Sequence, residues 1–443
     1  MQIDLALKKP TETTAGNYFV GNYPPFSYWN ADGAEDAYAA LAQPPAAGTP
    51  LGVYVHLPFC RRRCHFCYFR VYTGRDAKPD RVTSYLDAVL KESHLYSQTP
   101  LLSGRLPRYV YFGGGTPSFL SVPNLTKLFG GLQQHFPWTD TDEIAFEAEP
   151  GTLTDDKLYA LHDLGVTRLS VGVENFDDDI LKVNGRAHLS KDIHRAVEVA
   201  RKAGFDQINV DLIAGMVNET ETNWRECVRK VIDMGPECVT VYQLEVPYNT
   251  AIYKEMRANG QIVAPVADWP TKRAWVDYAF SELESVGYTI TSGYTAIRDP
   301  GVNNFMYREH LWRGADMMAL GVSSFGHLGG THCQNEKDFG PYVDRLARGE
   351  LPIARGLALT DDDRLIREFI LLLKLGQVDP AYFRGKFGVD VCARFAAPLA
   401  RHQAAGHLEF DDDRVTLTRQ GLLRVDELLH EFFRPEHRGP RYV

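Results

Sequence analysis

From Leu51 to Val246, short apolar runs rich in β-branched and aromatic residues alternate with longer stretches in which apolar positions recur at helical spacing. The short runs are "LGVYVHL", "YVYFGG", "EIAFEAEP", "RLSVGVE", "QINVDLIAG" and "CVTVYQLEV". Turn residues and amphipathic stretches such as "VPNLTKLFGGLQQHF" and "SKDIHRAVEVARKAG" follow them. Alternation of this kind builds repeated βα units with a parallel sheet. Six such units predict an α/β fold, a partial (β/α)6 TIM-like barrel. Chemistry in such barrels gathers at the C-terminal ends of the strands. Here those ends are polar: a cysteine loop after the first strand, "GGGTP" after the second, then Glu147 and Glu149, Glu174, Asp211, and Gln243 with Glu245.

The flanks carry other patterns. Residues 1–48 hold an aromatic arm, "NYFVGNYPPFSYW", and an Ala/Pro/Gly linker; the barrel is predicted over 49–300. A barrel extension, 301–360, contains the Gly-rich "LGVSSFGHLGG". The tail, 361–443, predicts a small helical, winged-helix-like domain, with helical patterns in "DDDRLIREFILLLKLG" and "DVCARFAAPLARHQAAG", a hairpin in "HLEFDDDRVTLT" and a last helix.

Composition narrows the function classes. A formal charge of −9 over 443 residues argues against a general nucleic-acid binder, which needs a basic face. No run of about 18 apolar residues predicts a membrane span, and the N-terminus lacks the pattern of a secretory signal. The expectation is a cytoplasmic, monomeric enzyme with a small-molecule substrate and neither nucleic-acid nor membrane partner. Among the seven cysteines, Cys227, Cys238, Cys333 and Cys392 are scattered, as reduced thiols are.

The other three, Cys60, Cys64 and Cys67, crowd into one loop with C-x3-C-x2-C spacing. Three thiolates so placed reach three corners of an iron–sulfur cubane. A closed zinc site completed by His56 or His65 is the alternative on spacing alone. A cluster with three protein ligands would leave one iron open.

The C-x3-C-x2-C loop after the first strand of a βα series resembles the signature of the radical S-adenosylmethionine (SAM) superfamily. "YVHLPFC", "GGGTP", "EAEPGTL", "LSVGVENF", "DLIAG" and "YQLEVP" stand in the order seen in its HemN-like family, and the tail is similar to the HemN C-terminal domain. The resemblance implies a [4Fe–4S] cluster on Cys60, Cys64 and Cys67, two SAM molecules, and an external one-electron donor of flavodoxin or ferredoxin type. It also implies that Tyr54 and Phe66 pack beside SAM, and that Gly113, Gly114, Gly115 and Thr116 hold its methionine end. Glu147 would pair with its ammonium, Arg186 would grip a carboxylate and Asp211 would take ribose hydroxyls. Phe325, in the extension, completes the cofactor-binding set.

The match is incomplete on the substrate side. Coproporphyrinogen dehydrogenases of the family carry a further cysteine where this chain has Phe69. Glu174 stands where the family usually has Gln, and Glu245 where the porphyrinogen enzyme has a small residue. Glu174 and Glu245 either act with Tyr54 in the chemistry, stabilising positive charge or serving as a base, or Glu174 merely replaces Gln as a ribose acceptor. These departures lead to the expectation of methyl or methylene transfer, or cyclopropanation, at an sp² carbon of a small unsaturated substrate. Oxidative decarboxylation of coproporphyrinogen III, haem modification and haem delivery are the alternatives.

Overall fold

The six apolar runs form strands β1 (Leu51–Leu57), β2 (Pro107–Gly114), β3 (Glu143–Ala148), β4 (Arg168–Glu174), β5 (Gln207–Ala214) and β6 (Cys238–Gln243). In this computed structural model, which describes residues 19–259 and 265–439, each runs parallel to the next. The first 18 residues of the N-terminal stretch, where a secretory signal would begin, lie outside the described residues. Side chains alternate across a strand, so register decides what each face carries. Tyr54 pairs with Tyr111, Glu147 with Ser170, Ser170 with Asn209 and Asp211 with Thr240. The residues between them, such as Val53, Phe112, Val171 and Val210, are at most 2 % exposed. They share one core with Leu128, Ile193 and Val228 of the intervening helices. One face is thus apolar and covered by helices, and the other carries the polar side chains.

The sheet is wider than six strands. On the β6 edge lies an antiparallel hairpin, β7 (Tyr288–Ile290) and β8 (Thr295–Arg298). On the β1 edge β9 (Asp316–Leu320) adds a further parallel strand, followed by antiparallel β10 (Phe325–Leu328), β11 (Thr331–Asn335) and β12 (Ile353–Ala358). The open barrel therefore continues into one twelve-stranded sheet.

The tail is helical around a small sheet of β13 (Gln377–Val378), β14 (Leu408–Phe410) and β15 (Val415–Leu417). Its first helix, Asp361–Leu373, starts at Thr360, whose Oγ1 accepts from Asp363 N–H at 3.1 Å while Asp363 accepts from Thr360 N–H at 3.1 Å. This reciprocal cap satisfies donors that the first turn leaves open. A helix at Pro380–Phe387 adds to those read from sequence. Phe369, Phe383, Phe395 and Phe432 build a second core, and Val20 and Tyr23 of the N-terminal arm complete it. Lys374 Nζ donates to Val20 O at 2.7 Å and Val20 N–H to Asp426 at 2.9 Å, so the arm is stitched to the tail. From there it crosses the barrel mouth, where Phe26 packs on Phe325 with ring centroids 4.4 Å apart. Among the described residues no helix is long and apolar enough to cross a membrane.

Candidate active site

A cavity of about 740 Å³ opens at the C-terminal ends of the strands. Cys60, Cys64 and Cys67 line one side of it. The loop that carries them is pinned from several elements: His65 N–H donates to Asn184 O at 3.0 Å, and His65 O accepts from Ile252 N–H at 3.1 Å. The thiols have partners as well. Thr116 Oγ1 lies 3.3 Å from Cys60 Sγ, and Arg186 Nη1 lies 3.3 Å from Cys64 Sγ. Burial pushes the Cys60 thiol up to about 12 and the Cys67 thiol up to about 11, so cluster loading must displace protons. Among the described residues no three His, Cys, Asp or Glu side chains converge on one point as a single ion requires. A closed zinc site completed by His56 or His65 is therefore not preformed among them.

The backbone of "GGGTP" passes close beneath this loop. A Cβ on Gly114 would sit 2.6 Å from the His56 ring, and the residue holds φ +112°, which side chains disfavour. A Cβ on Gly115 would come within 3.0 Å of Cys60 Sγ. Only glycine lets the chain approach the cysteines this closely. Gly113 behaves differently: its missing side chain would point at Glu147, 3.0 Å away, and it does not line the cavity. Its predicted part in cofactor binding is thus restricted to making room for that carboxylate.

Three carboxylates stand on consecutive strands, Glu174 buried and Glu147 and Asp211 half-buried. Glu147 accepts from Tyr111 Oη at 2.7 Å and from Gly114 N–H at 3.1 Å. Asp211 accepts from Asn209 at 2.9 Å and Ser170 at 3.2 Å. Glu174 lies 3.5 Å from Arg186 Nη2 and holds φ +65°, where the β4–β5 register shifts. A non-glycine residue held there is strained, and such strain clusters at working sites. Burial raises all three pKa values, and Asp211, with Glu174 nearby, is pushed to about 8. Glu149 goes the other way: burial pushes it up, but the His188 hydrogen bond at 2.8 Å and the Arg186 charge outweigh that and lower it. Arg186 also donates to Gly172 O at 2.5 Å, while its Nε is buried without a partner among the described residues. An orphaned guanidinium donor facing buried acids fits a zwitterionic ligand.

The architecture and cavity invite comparison with known proteins. The Radical SAM superfamily model matches residues 54–231, and the HemN C-terminal domain model matches residues 359–424. An oxygen-independent coproporphyrinogen III oxidase of Helicobacter pylori (strain J99) is 30% identical over 400 residues, covering 86% of this chain and 86% of that protein. The chain belongs to the HemN-like family of radical SAM enzymes. A [4Fe–4S] cluster and SAM are the cofactors of that superfamily, with a reductant and a small-molecule substrate. The haem chaperone HemW of Bacillus subtilis is 28% identical over 381 residues, 86% of this chain and 98% of that one. The solved structure of coproporphyrinogen III oxidase (HemN) from Escherichia coli superposes with a TM-score of 0.81 at 25% identity, covering 94% of this HemN-like chain and 96% of the other.

These relatives overturn the expectation of an alkylating enzyme. They are coproporphyrinogen III oxidases and a haem chaperone, matched over nearly the whole chain, and the methyltransferase or cyclopropanase branch drawn from Phe69, Glu174 and Glu245 has no support in them.

The cavity brings together Tyr54, Phe66, Gly114, Gly115, Thr116, Glu147, Glu174, Arg186, Asp211, Glu245 and Phe325 with the three cysteines. Tyr54 Oη lies 3.1 Å from His56 Nδ1, and burial lowers the His56 pKa to about 4. Phe66 packs with Ile213, Met216 and Leu244. Glu245 stands beyond β6, which ends at Gln243 rather than running on to Val246. The arm segment "NYPPFS", which departs from the family's pattern on the substrate side, brings Asn22 and Phe26 to the cavity; Tyr307, His327 and Arg367, cavity residues from other elements, were missed by sequence reasoning. No motif marks them. Only the hydrogen bonds and packing between distant segments reveal them.

Proposed function

We propose that this HemN-like enzyme cleaves SAM at a [4Fe–4S] cluster held by Cys60, Cys64 and Cys67 and uses the radical to decarboxylate coproporphyrinogen III oxidatively. The observation that carries the reading is a single cavity combining the three thiols, the Gly114–Thr116 backbone, buried acids and several arginines, in a chain that matches coproporphyrinogen oxidases along most of its length. Held by Cys60, Cys64 and Cys67, the cluster would supply the electron that cleaves SAM to a 5′-deoxyadenosyl radical. Around it, Glu147 takes the SAM ammonium, Arg186 its carboxylate and Asp211 the ribose, with Tyr54 and Phe66 against the flat groups. Phe325, Glu174 and Glu245 face the space where a second SAM and the substrate meet. For each propionate that reacts, one hydrogen atom leaves the side chain to the radical, CO₂ departs, and one electron passes to an external acceptor, leaving a vinyl group; the other propionates stay intact. Residues 49–300 would do this chemistry under the cover of the described parts of the arm, 19–48, and the tail, 361–439, with 301–360 completing the wall.

A haem-delivery reading would need an imidazole at the cavity, and His310 of "NNFMYREHLW" does not supply one. Its Nε2 is 3.0 Å from Asp142 and its ring stacks on Tyr109, away from the cavity. The test is anaerobic reconstitution followed by incubation with SAM, a reductant and coproporphyrinogen III. The expected result is 5′-deoxyadenosine with vinyl-bearing porphyrinogen, both abolished in Cys64→Ala. Deoxyadenosine with unchanged porphyrinogen would refute the substrate assignment.

A further inference from the structure

The cavity end away from the cysteines is closed by the arm, the helix Met306–Trp312, β10 and the first tail helix. Arg367, on that helix, is 2 % exposed and lines the cavity. Its Nε donates to Asn22 Oδ1 at 2.8 Å and its Nη1 to Leu311 O at 3.3 Å. Among the described residues no carboxylate forms an ion pair with it; Glu368 acts on it only through space, and its carboxylate is paired with Lys386.

The neighbours offset the charge only in part, and burial still lowers the Arg367 pKa. Glu368, next in sequence, is engaged by Lys386 Nζ at 2.7 and 2.9 Å and by Tyr382 Oη at 2.5 Å. Tyr109 and Tyr307, which also face the guanidinium, stay neutral because burial raises their pKa values. The imidazoles facing it are neutral too. His332 Nε2–H donates to Tyr23 O at 2.9 Å, which leaves its Nδ1 to accept from His327 Nδ1–H at 3.1 Å. Neither ring supplies an anion. Burying a cation without a counter-charge is costly, and a protein retains one where a ligand supplies the missing partner.

We propose that Arg367 forms a carboxylate subsite at the arm and tail end of the cavity, taking an acid group of the substrate while the reacting part lies towards the cysteines. The planar guanidinium, held through Nε and Nη1, keeps Nη2 in a fixed direction, which favours a carboxylate over a neutral polar group. With the proposed function, the ligand group is a propionate that is not reacting. Only the identity of the ligand rests on that reading.

The experiment is a fluorescence titration of the cluster-loaded protein in two arms. In the first, a dansylated undecanoic acid is compared with its primary amide, which needs no assumption about the substrate. Wild type is expected to prefer the acid by roughly 10- to 100-fold, the usual strength of a hydrogen bond to a charged group. Arg367→Gln should lose that preference and Arg367→Lys should keep part of it. Because acid and amide are compared within one variant, a general loss of packing cannot mimic the result. No preference in wild type, or the same preference in Arg367→Gln, overturns the subsite. In the second arm, coproporphyrin III and its tetramethyl ester are titrated. Tight binding of the acid that is unchanged in Arg367→Gln would sink the subsite and spare the proposed function. No binding of coproporphyrin beside a clear acid preference in the first arm would do the reverse.

Discussion

Asp211, Glu147 and Glu174 put three carboxylates into one cavity wall, and the pKa of each is raised by burial before anything else. The ionised form is the one that attracts the SAM cation, so binding must release protons. Asp211 is pushed to about 8. SAM affinity is therefore expected to rise with pH up to that value, by up to about tenfold per unit, and Asp211→Asn should flatten the slope. Dissociation constants measured across this range check it; a slope unchanged in the variant would remove Asp211 from the site. Gly114→Ala tests the backbone approach. Its Cβ would meet the His56 ring at 2.6 Å on a backbone at φ +112°. A stability loss of about 1–3 kcal/mol and a loss of SAM binding are expected from denaturant titration and equilibrium binding.

At the scale of elements, the arm is part of the tail's core rather than a loose leader. Tyr23 is fully buried, packs at a tilt against Phe433 with ring centroids 4.9 Å apart, and its Oη lies 2.8 Å from His437 Nδ1. Tyr23→Ala should cost about 3–5 kcal/mol in urea unfolding. It should also loosen Asn22 and Phe26 over the cavity, so that substrate binding weakens more than SAM binding. Equal weakening of both would separate the arm from the substrate end. The strands themselves were largely legible, because each is a short apolar run bounded by turns: β1 and β4 coincide with the runs read from sequence. The edge strand β9 was not. It pairs with β1 across a separation that no local pattern encodes, and β6 stops at Gln243 although apolar residues continue to Val246. The site shows the same division. The cysteines, Gly114 to Thr116, Glu147 and Asp211 sit at strand ends that the βα rhythm makes visible. Arg367 and His327 sit in segments whose patterns announce only a helix and a Gly-rich turn.

At the scale of the molecule, one chamber is built from four stretches of chain: the barrel supplies the thiols and acids, the extension supplies Phe325 and His327, and the tail and arm close the far end. Enclosure of this kind keeps water from a reactive radical. The central claim is that the radical made on the cysteine side removes a carboxylate carbon. The most direct measurement uses coproporphyrinogen III labelled with ¹³C in its propionate carboxyls, incubated anaerobically with the reconstituted enzyme, SAM, a reductant and a one-electron acceptor. Labelled CO₂ and 5′-deoxyadenosine forming in equal amounts, and neither from Cys64→Ala, is the outcome predicted. Deoxyadenosine accumulating without labelled CO₂ would contradict the account.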